Sequence, residues 1–255
     1  MLITLTLLAH IGVLPPALPV PAIHDSLPAA QPPTVTYPFK VGETLHYTAS
    51  IGYLPIGSAD LAVTGLARER GAETFVLTLS GEGGPPGFGI SYEATSWVGT
   101  KQFTSRRFHR RVAQAGQVTD QSFLIYPDSA RYREVGNPEA WVAPRDALDE
   151  VAFLYFLRTT PLEVGRTYSW ARYFRTGFNP VQVQVTGREA VRLPTGETPT
   201  CLVLHVTTRA GASDLWLTDD ARRLPAQARV PLNFGTVTLQ LAGVGAGAGS
   251  ESARR

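Results

Sequence analysis

Histidine and serine are the side chains whose spacing would first reveal hydrolytic or metal chemistry in this sequence. Beyond residue 38 the histidines are His46, His109 and His205, and no two of them stand at a short metal-ligand spacing. No serine lies in a Gly-x-Ser-x-Gly turn, so a hydrolase triad has no anchor in the sequence. A dispersed triad stays open, because triads are defined by geometry. We predict no catalytic residue and no metal ligand, and we keep an unrecognised hydrolase as an alternative.

Acidic and thiol groups lead to the same prediction. Asp219 and Asp220 are adjacent at the end of a strand, so their side chains point in different directions and would not share a proton as a catalytic pair does. We interpret them as turn residues. Cys201 is the only cysteine and lies in the apolar run 201–204, which predicts a buried, unreactive thiol and excludes multi-cysteine zinc or iron–sulfur sites. No cofactor is expected.

The strongest cluster of charge consists of Arg106, Arg107, Arg110 and Arg111, which flank an aromatic residue and a histidine. Such a cluster could form an anion-binding surface for lipid headgroups or cell-wall polymer. The alternative is a solvated edge strand that its charges protect from aggregation. The net charge of only +2 gives a weak long-range field, so no nucleic-acid partner is predicted.

The elements that must position these residues are β-strands. From residue 39 to residue 242, apolar and polar residues alternate in short runs separated by turn residues, as in 45–49, 59–63, 75–79 and 202–206. Strands joined by short turns pair antiparallel. The pattern predicts an all-β, mainly antiparallel fold of about ten to fourteen strands, curled or barrel-like, as a β-sandwich with one core.

One segment departs from this alternation. Residues 146–158 carry apolar residues at helical spacing, which predicts one short helix. Asp146 is expected to cap it, with Asp149 and Glu150 in its first turn. We expect the helix to pack against the sheet or to plug an open barrel end.

The two ends of the chain differ in composition from the middle. Residues 1–22 form a signal peptide in this interpretation, 23–38 a proline-rich linker, 39–242 a single β domain, and 243–255 a flexible tail rich in glycine and alanine. The apolar start predicts export, with a periplasmic location. No cysteine follows it, so a lipoprotein is not expected, and no transmembrane span is predicted in the mature chain.

Several motifs together resemble a known family. They are residues 39–47, 56–59, the helix with 156–165, and 215–225. The sequence from about residue 39 to 241 resembles the DUF3108 family of uncharacterised exported bacterial proteins. The resemblance implies an exported, mostly β protein, and it supplies no catalytic residues. We interpret the motifs as fold-making, with ligand contact as the alternative.

These observations favour a non-enzymatic envelope protein that binds an apolar or amphipathic ligand such as a lipid, or an envelope partner, on a curled sheet. The inward residues expected to line a ligand cavity are Leu61, Val63, Leu77, Val183 and Leu204. The glycine–proline loop 81–89, with Phe88 as a lid, and the helix are expected at the mouth of that cavity. The alternative is a structural or assembly module of the envelope without a small ligand.

Overall fold

The computed structural model describes residues 36–84, 89–232 and 235–246. These residues form fourteen β-strands, one α-helix (α1, Glu150–Thr159) and a short 3-10 helix at Thr176–Phe178. The strands are β1 Glu43–Ile51, β2 Leu54–Glu69, β3 Ala72–Gly83, β4 Ile90–Gly99, β5 Ser105–Gln114, β6 Gln117–Tyr126, β7 Arg131–Glu134, β8 Trp141–Val142, β9 Thr167–Trp170, β10 Val181–Ala190, β11 Thr200–Thr208, β12 Gly211–Thr218, β13 Pro225–Leu232 and β14 Gly235–Ala246. The predicted signal peptide, residues 23–35 of the linker, Phe88 and the end of the tail lie outside the described residues.

All fourteen strands belong to one antiparallel sheet in the order β8-β7-β6-β5-β4-β3-β2-β1-β14-β13-β12-β11-β10-β9. The chain therefore runs outward from β1 to β8, crosses through α1, and returns from β9 to β14 beside β1. The inward residues of distant strands, such as Phe123 on β6 and Val183 on β10, share one core. The sheet is thus strongly curled, which confirms the predicted fold class and strand number.

The edge strands β8 and β9 are not neighbours in the sheet, so the curl stays open on one side in the described part of the chain. Two connecting segments fill this gap. The Leu148 N–H donates to the Arg172 carbonyl at 2.6 Å, and the Phe174 N–H donates to the Leu148 carbonyl at 3.0 Å. Phe174 then packs against the rings of Phe108 and Phe123 on the sheet.

The predicted helix forms, but it starts four residues later than expected. Its N-cap is Asp149, whose carboxylate accepts hydrogen bonds from the backbone N–H groups of Val151 and Ala152. The prediction that Asp146 caps the helix is therefore wrong. Asp146 instead forms an ion pair with Arg172. Glu150, the first helical residue, is acidic as the helix dipole favours, yet its side chain is buried.

The antiparallel strands give the sheet two ends, which we call upper and lower. The upper end carries the β1–β2, β3–β4, β5–β6 and β13–β14 connections, and the lower end carries β2–β3, β4–β5, β6–β7 and β12–β13. Both ends of α1 are bonded to the lower part: Asp149 to Ser105 at the start of β5, and Arg158 to Glu43 at the start of β1. The expectation that the helix lies beside the 81–89 loop at a cavity mouth is therefore wrong.

Both expected domain boundaries are a few residues too narrow. Tyr37, which we had placed in the linker, stacks on Phe39 and donates its hydroxyl to the Thr100 carbonyl. Residues 243–246, which we had placed in the tail, continue β14 and pair with the start of β1. The folded domain includes both segments.

Candidate functional site

The inner face of the sheet leaves a line of apolar space that begins at the upper end. The first part is an open groove of about 570 Å³ between β2, β3, β4 and β5. Ile56, Ile90 and Gly83 belong to its wall, together with the carboxylate-bearing Glu82. The same four residues also line a second space of about 50 Å³ directly below, so the two spaces are adjacent.

The line of space continues toward the helix. The second space is also bounded by Ala49, Tyr92 and Leu239. Leu239 in turn borders a third space of about 30 Å³, which Leu154 of α1 also lines. Most other wall residues of these two inner spaces are apolar, namely Ala59, Leu61, Leu79, Leu215, Pro225, Ala228, Val230, Leu232 and Val237.

The residues that the sequence analysis placed around a ligand cavity are all buried in the core: Leu61, Val63, Leu77, Val183 and Leu204. Leu61 lines the third space, whereas the other four are not wall residues of the three spaces described above. The walls come mostly from positions nearer the upper end. Strand pairing places the small residues Ala49, Gly57 and Gly83 side by side near the upper end. Aligning the hairpins on their turns in the sequence could have indicated these wall positions.

A buried polar network fixes the N-terminal end of α1. The carboxylate of Asp149 accepts hydrogen bonds from the hydroxyls of Ser96 at 2.5 Å and Ser105 at 2.7 Å, in addition to the two backbone N–H groups that it caps. Burial raises the pKa of this carboxyl to about 6, although the hydrogen bonds favour its ionised form. The network therefore ties the helix to β4 and β5.

The adjacent Glu150 is the second buried carboxylate. It accepts a hydrogen bond from the Tyr173 hydroxyl at 2.8 Å and lies 3.6 Å from the Arg110 guanidinium. The Tyr92 hydroxyl lies 3.5 Å from the same carboxylate. Burial, followed by the charge of Glu150, raises the pKa of Tyr173 well above its usual value. Tyr92 thus connects this polar network to the second apolar space.

The C-terminal end of α1 is held by a buried ion pair. The Arg158 guanidinium donates to both oxygens of Glu43, at 2.6 and 3.1 Å, and to the carbonyls of Pro38 and Arg222. It also lies over the ring of Phe39. Arg158 and two of its partners, Glu43 and Arg222, belong to three of the motifs that carry the family resemblance. Their interpretation as fold-making motifs is supported by this contact, since one fully buried side chain joins all three.

The arginine cluster on β5 does not form one surface. Arg110 points inward, where it pairs with Glu150 and donates twice to the Gln121 side-chain oxygen. Its side chain is only 11% exposed, so its assignment to an anion-binding surface is wrong. Because the run lies on a strand, alternation with Phe108 and Val112 places Arg110 on the inner face.

The other arginines of the cluster are accessible to different degrees. Arg107 lies over the ring of Trp97 and pairs with Glu69, and Arg111 is exposed. Arg106 is half-buried. Three of the four arginines predicted to form an anion surface, Arg106, Arg107 and Arg111, are therefore at least partly accessible.

The histidines lie on the outer face and each forms a cross-strand pair with an aspartate. The pairs are His46–Asp60 at 2.6 Å, His109–Asp120 at 2.8 Å and His205–Asp214 at 2.7 Å. Within the described residues, no group of three or more His, Cys, Asp or Glu side chains is arranged to hold a metal ion.

The acidic turn and the cysteine have structural surroundings. Asp220 accepts hydrogen bonds from Thr218 and from the N–H groups of Arg222 and Arg223, which lower its pKa against the opposing effect of partial burial. It therefore holds the β12–β13 turn, as predicted. Cys201 is buried, and burial raises the pKa of its thiol to about 11.

Comparison with known proteins gives a family and a fold. A family model described as "Protein of unknown function (DUF3108)" matches residues 46–242. The crystal structure of a beta-barrel-like protein, a domain of unknown function DUF1849 from Brucella abortus, is similar with a TM-score of 0.53 and 7% identity, over 80% of this chain and 97% of that chain. At this identity the likeness shows the fold alone. No curated protein matches the sequence.

A second solved structure matches more weakly. It is a "putative lipoprotein" from Parabacteroides distasonis, with 8% identity and a TM-score of 0.29, over 82% of this chain and 97% of that chain. That score is too low to carry an argument. Within the described residues, no helix has the length and apolar character needed to cross a membrane.

Proposed function

We propose, on the premise that this chain belongs to the DUF3108 family, that it is a non-enzymatic protein of the cell envelope. Its task is to bind an apolar or amphipathic molecule at the upper end of the curled sheet. The observation that carries the proposal is the row of three separate, neighbouring spaces with mostly apolar walls, from the open groove to Leu154 of α1. A site for such a molecule is concave and mostly apolar with a few polar groups, and the polar wall residues here include Glu82, Tyr92 and Gln114.

The sizes of the three spaces define how binding would proceed. A ligand site needs roughly 300 Å³ or more, whereas the groove of about 570 Å³ is wide open to solvent and the two inner spaces measure only about 50 and 30 Å³. An apolar chain would therefore enter along the groove and widen the inner spaces by moving their walls. Wall positions at Gly81, Gly83 and Gly84 carry no side chain that would have to be displaced.

A structural role in the envelope, without a small ligand, is the second candidate. It is favoured by the dense burial of the central inward residues Val63, Leu77, Val183 and Leu204 in one core. A module of this kind would bind partners through its surface and would keep its interior closed.

The experiment that separates these candidates is native mass spectrometry of the protein purified from its own envelope fraction. The ligand proposal expects a co-purifying apolar or amphipathic molecule, and Ala49→Leu, which fills the second space, should reduce its occupancy. Ala67→Leu, at the lower end of the same sheet region, is the matched control and should retain it. A ligand-free protein in every sample would favour the structural module.

The envelope location has a separate test. The apolar start and the proline-rich segment favour export. Tyr37 belongs to the folded domain, because its hydroxyl donates to the Thr100 carbonyl, so cleavage after this residue would remove part of the domain. N-terminal sequencing of the envelope-fraction protein should begin after Ala22 and before Tyr37. An intact Met1 on a cytosolic protein would contradict the proposed location.

A further inference from the structure

The upper end of the sheet has a run of hairpins without charge. Four connections that are neighbours in the sheet, β5–β6, β3–β4, β1–β2 and β13–β14, occupy this end. The sequence through them, residues 51–58, 83–91, 112–119 and 230–238, contains no Asp, Glu, Lys, Arg or His. We call the described residues of these ranges the uncharged rim.

Large apolar side chains project from the uncharged rim into solvent. Tyr53 is fully exposed, Leu54 is 56% exposed and Val118 is 55% exposed. The first two stand at the tip of a two-residue hairpin in which Gly52 adopts a positive φ of 57°, so the turn is tight and holds them away from the sheet. Isolated exposed apolar residues are ordinary and occur elsewhere on this protein too, but three of them on neighbouring connections without charge, including the fully exposed Tyr53, indicate a contact surface.

We propose that the uncharged rim docks on a lipid bilayer, with Tyr53 and Leu54 inserted at the level of the headgroups. The absence of charge favours this occupant: the membrane interface accepts tyrosine and leucine readily, whereas each buried charge would be costly, and the rim brings none. The β1–β2 and β5–β6 tips are separate tight turns, not an unpaired strand edge, so they suit a fluid surface better than the extended backbone of a protein partner.

The position of the apolar groove supports the same occupant. Ile56, Gly83 and Ile90 belong both to the rim and to the groove wall. A docked rim would place the mouth of the groove against the membrane, so an acyl chain could enter without crossing water. The entry of an acyl chain rests on the proposed function. Docking of the rim and binding of a ligand can still fail separately.

Two leucines on β2 provide a matched pair of variants. Leu54 is 56% exposed on the uncharged rim, and Leu66 is 53% exposed toward the lower end of the same strand. In sedimentation with zwitterionic phosphatidylcholine–phosphatidylethanolamine vesicles, Leu54→Glu in the full chain should lower the apparent partition coefficient by roughly tenfold or more. Leu66→Glu should leave it within about twofold, because that residue stays in water.

A local reporter makes the result independent of any other membrane-binding segment. Cys201 is buried, so Leu54→Cys or Leu66→Cys introduces the one accessible thiol for an environment-sensitive nitrobenzoxadiazole label. Vesicles should shift the emission of the label at position 54 to the blue and leave the label at position 66 unchanged.

Four results would overturn the inference. The first three are no vesicle binding, binding only to anionic phosphatidylglycerol vesicles at low salt, and equal responses at positions 54 and 66. The fourth is a dimer that Leu54→Glu dissociates, because the rim would then bind a second copy of the chain. Ala49→Leu should still dock normally. A vesicle-bound protein that carries no ligand would contradict the proposed function and leave the docking intact.

Discussion

The lower and upper ends of the curled sheet share the same strands but are built differently. At the lower end the connections carry charges, and those of the β12–β13 turn are paired, since Asp219 binds Arg188 and Arg223. The helix is bonded to this end through Asp149 and Arg158. At the upper end four neighbouring connections carry no charge, and the space between the strands is incompletely filled.

This difference shows how one continuous sheet can separate stability from binding. Buried, fully bonded polar groups require one arrangement of their partners, so they restrict motion where they occur. Apolar walls with small spaces between them impose no such geometry and can be repacked around a guest. We therefore expect mutations at the lower end to change stability and mutations at the upper end to change binding.

The largest effect is expected at the buried ion pair. Arg158→Ala should lower the free energy of unfolding by about 3–5 kcal/mol, because it leaves the Glu43 carboxylate and two carbonyl groups without their buried donor. Urea denaturation measures this change. Arg166→Ala, which removes the exposed ion pair with Glu163, is the control and should cost less than about 0.5 kcal/mol. Equal costs for the two variants would show that the buried ion pair does not stabilise the lower end.

The next effect is a dependence of stability on pH. Burial raises the pKa of Asp149 to about 6 from a usual value of 3.8, so the folded state holds this proton more tightly than the unfolded state. The contribution of Asp149 to the free energy of unfolding therefore falls as pH rises from about 4 to about 6 and is constant above that range. A shift of about two units corresponds to at most about 3 kcal/mol.

Asp149→Asn isolates this contribution. The amide oxygen can still cap the helix but does not ionise, so the fall between pH 4 and 6 should be absent from the variant. Urea denaturation across this range, with wild type and variant compared at each pH, removes the contributions of other carboxylates. A constant difference between the two proteins would show that Asp149 titrates normally in the fold.

The smallest stability effects compare one turn from each end. Asp220→Ala at the lower end should cost about 1 kcal/mol, because two backbone N–H groups and the Thr218 hydroxyl lose their acceptor. Tyr53→Ser at the upper end should change the free energy of unfolding by less than about 0.5 kcal/mol, since this side chain is fully exposed. Thermal melts of the two variants measure both losses of stability. A larger loss for Tyr53→Ser than for Asp220→Ala would contradict the expected order.

The sequence predicted the fold well because alternation is a local signal. Period-two runs gave the strands, and the one run at helical spacing gave α1. The cap was misplaced because Asp146 and Asp149 are chemically equivalent candidates. Only the long-range partners of Asp149, Ser96 and Ser105, distinguish the two.

The site could be predicted only in part. Arg158 and Glu43 are 115 residues apart, and their pairing depends on the order of strands in the sheet, which alternation does not supply. Arg110 could have been placed inward from the alternation with Phe108 and Val112. Its charge argued against that position, because a buried arginine needs a partner such as Glu150, which no local pattern indicates.

The central claim is that the upper end opens for an apolar guest while the lower end stays closed. Hydrogen–deuterium exchange with mass spectrometry, with and without palmitate, tests it directly because exchange reports local opening along the whole chain. We expect palmitate to slow exchange in peptides covering the upper parts of β1–β4, β13 and β14. No change is expected in peptides covering the turns at 69–72 and 219–224. Protection confined to the lower end, or no protection anywhere, would contradict the account.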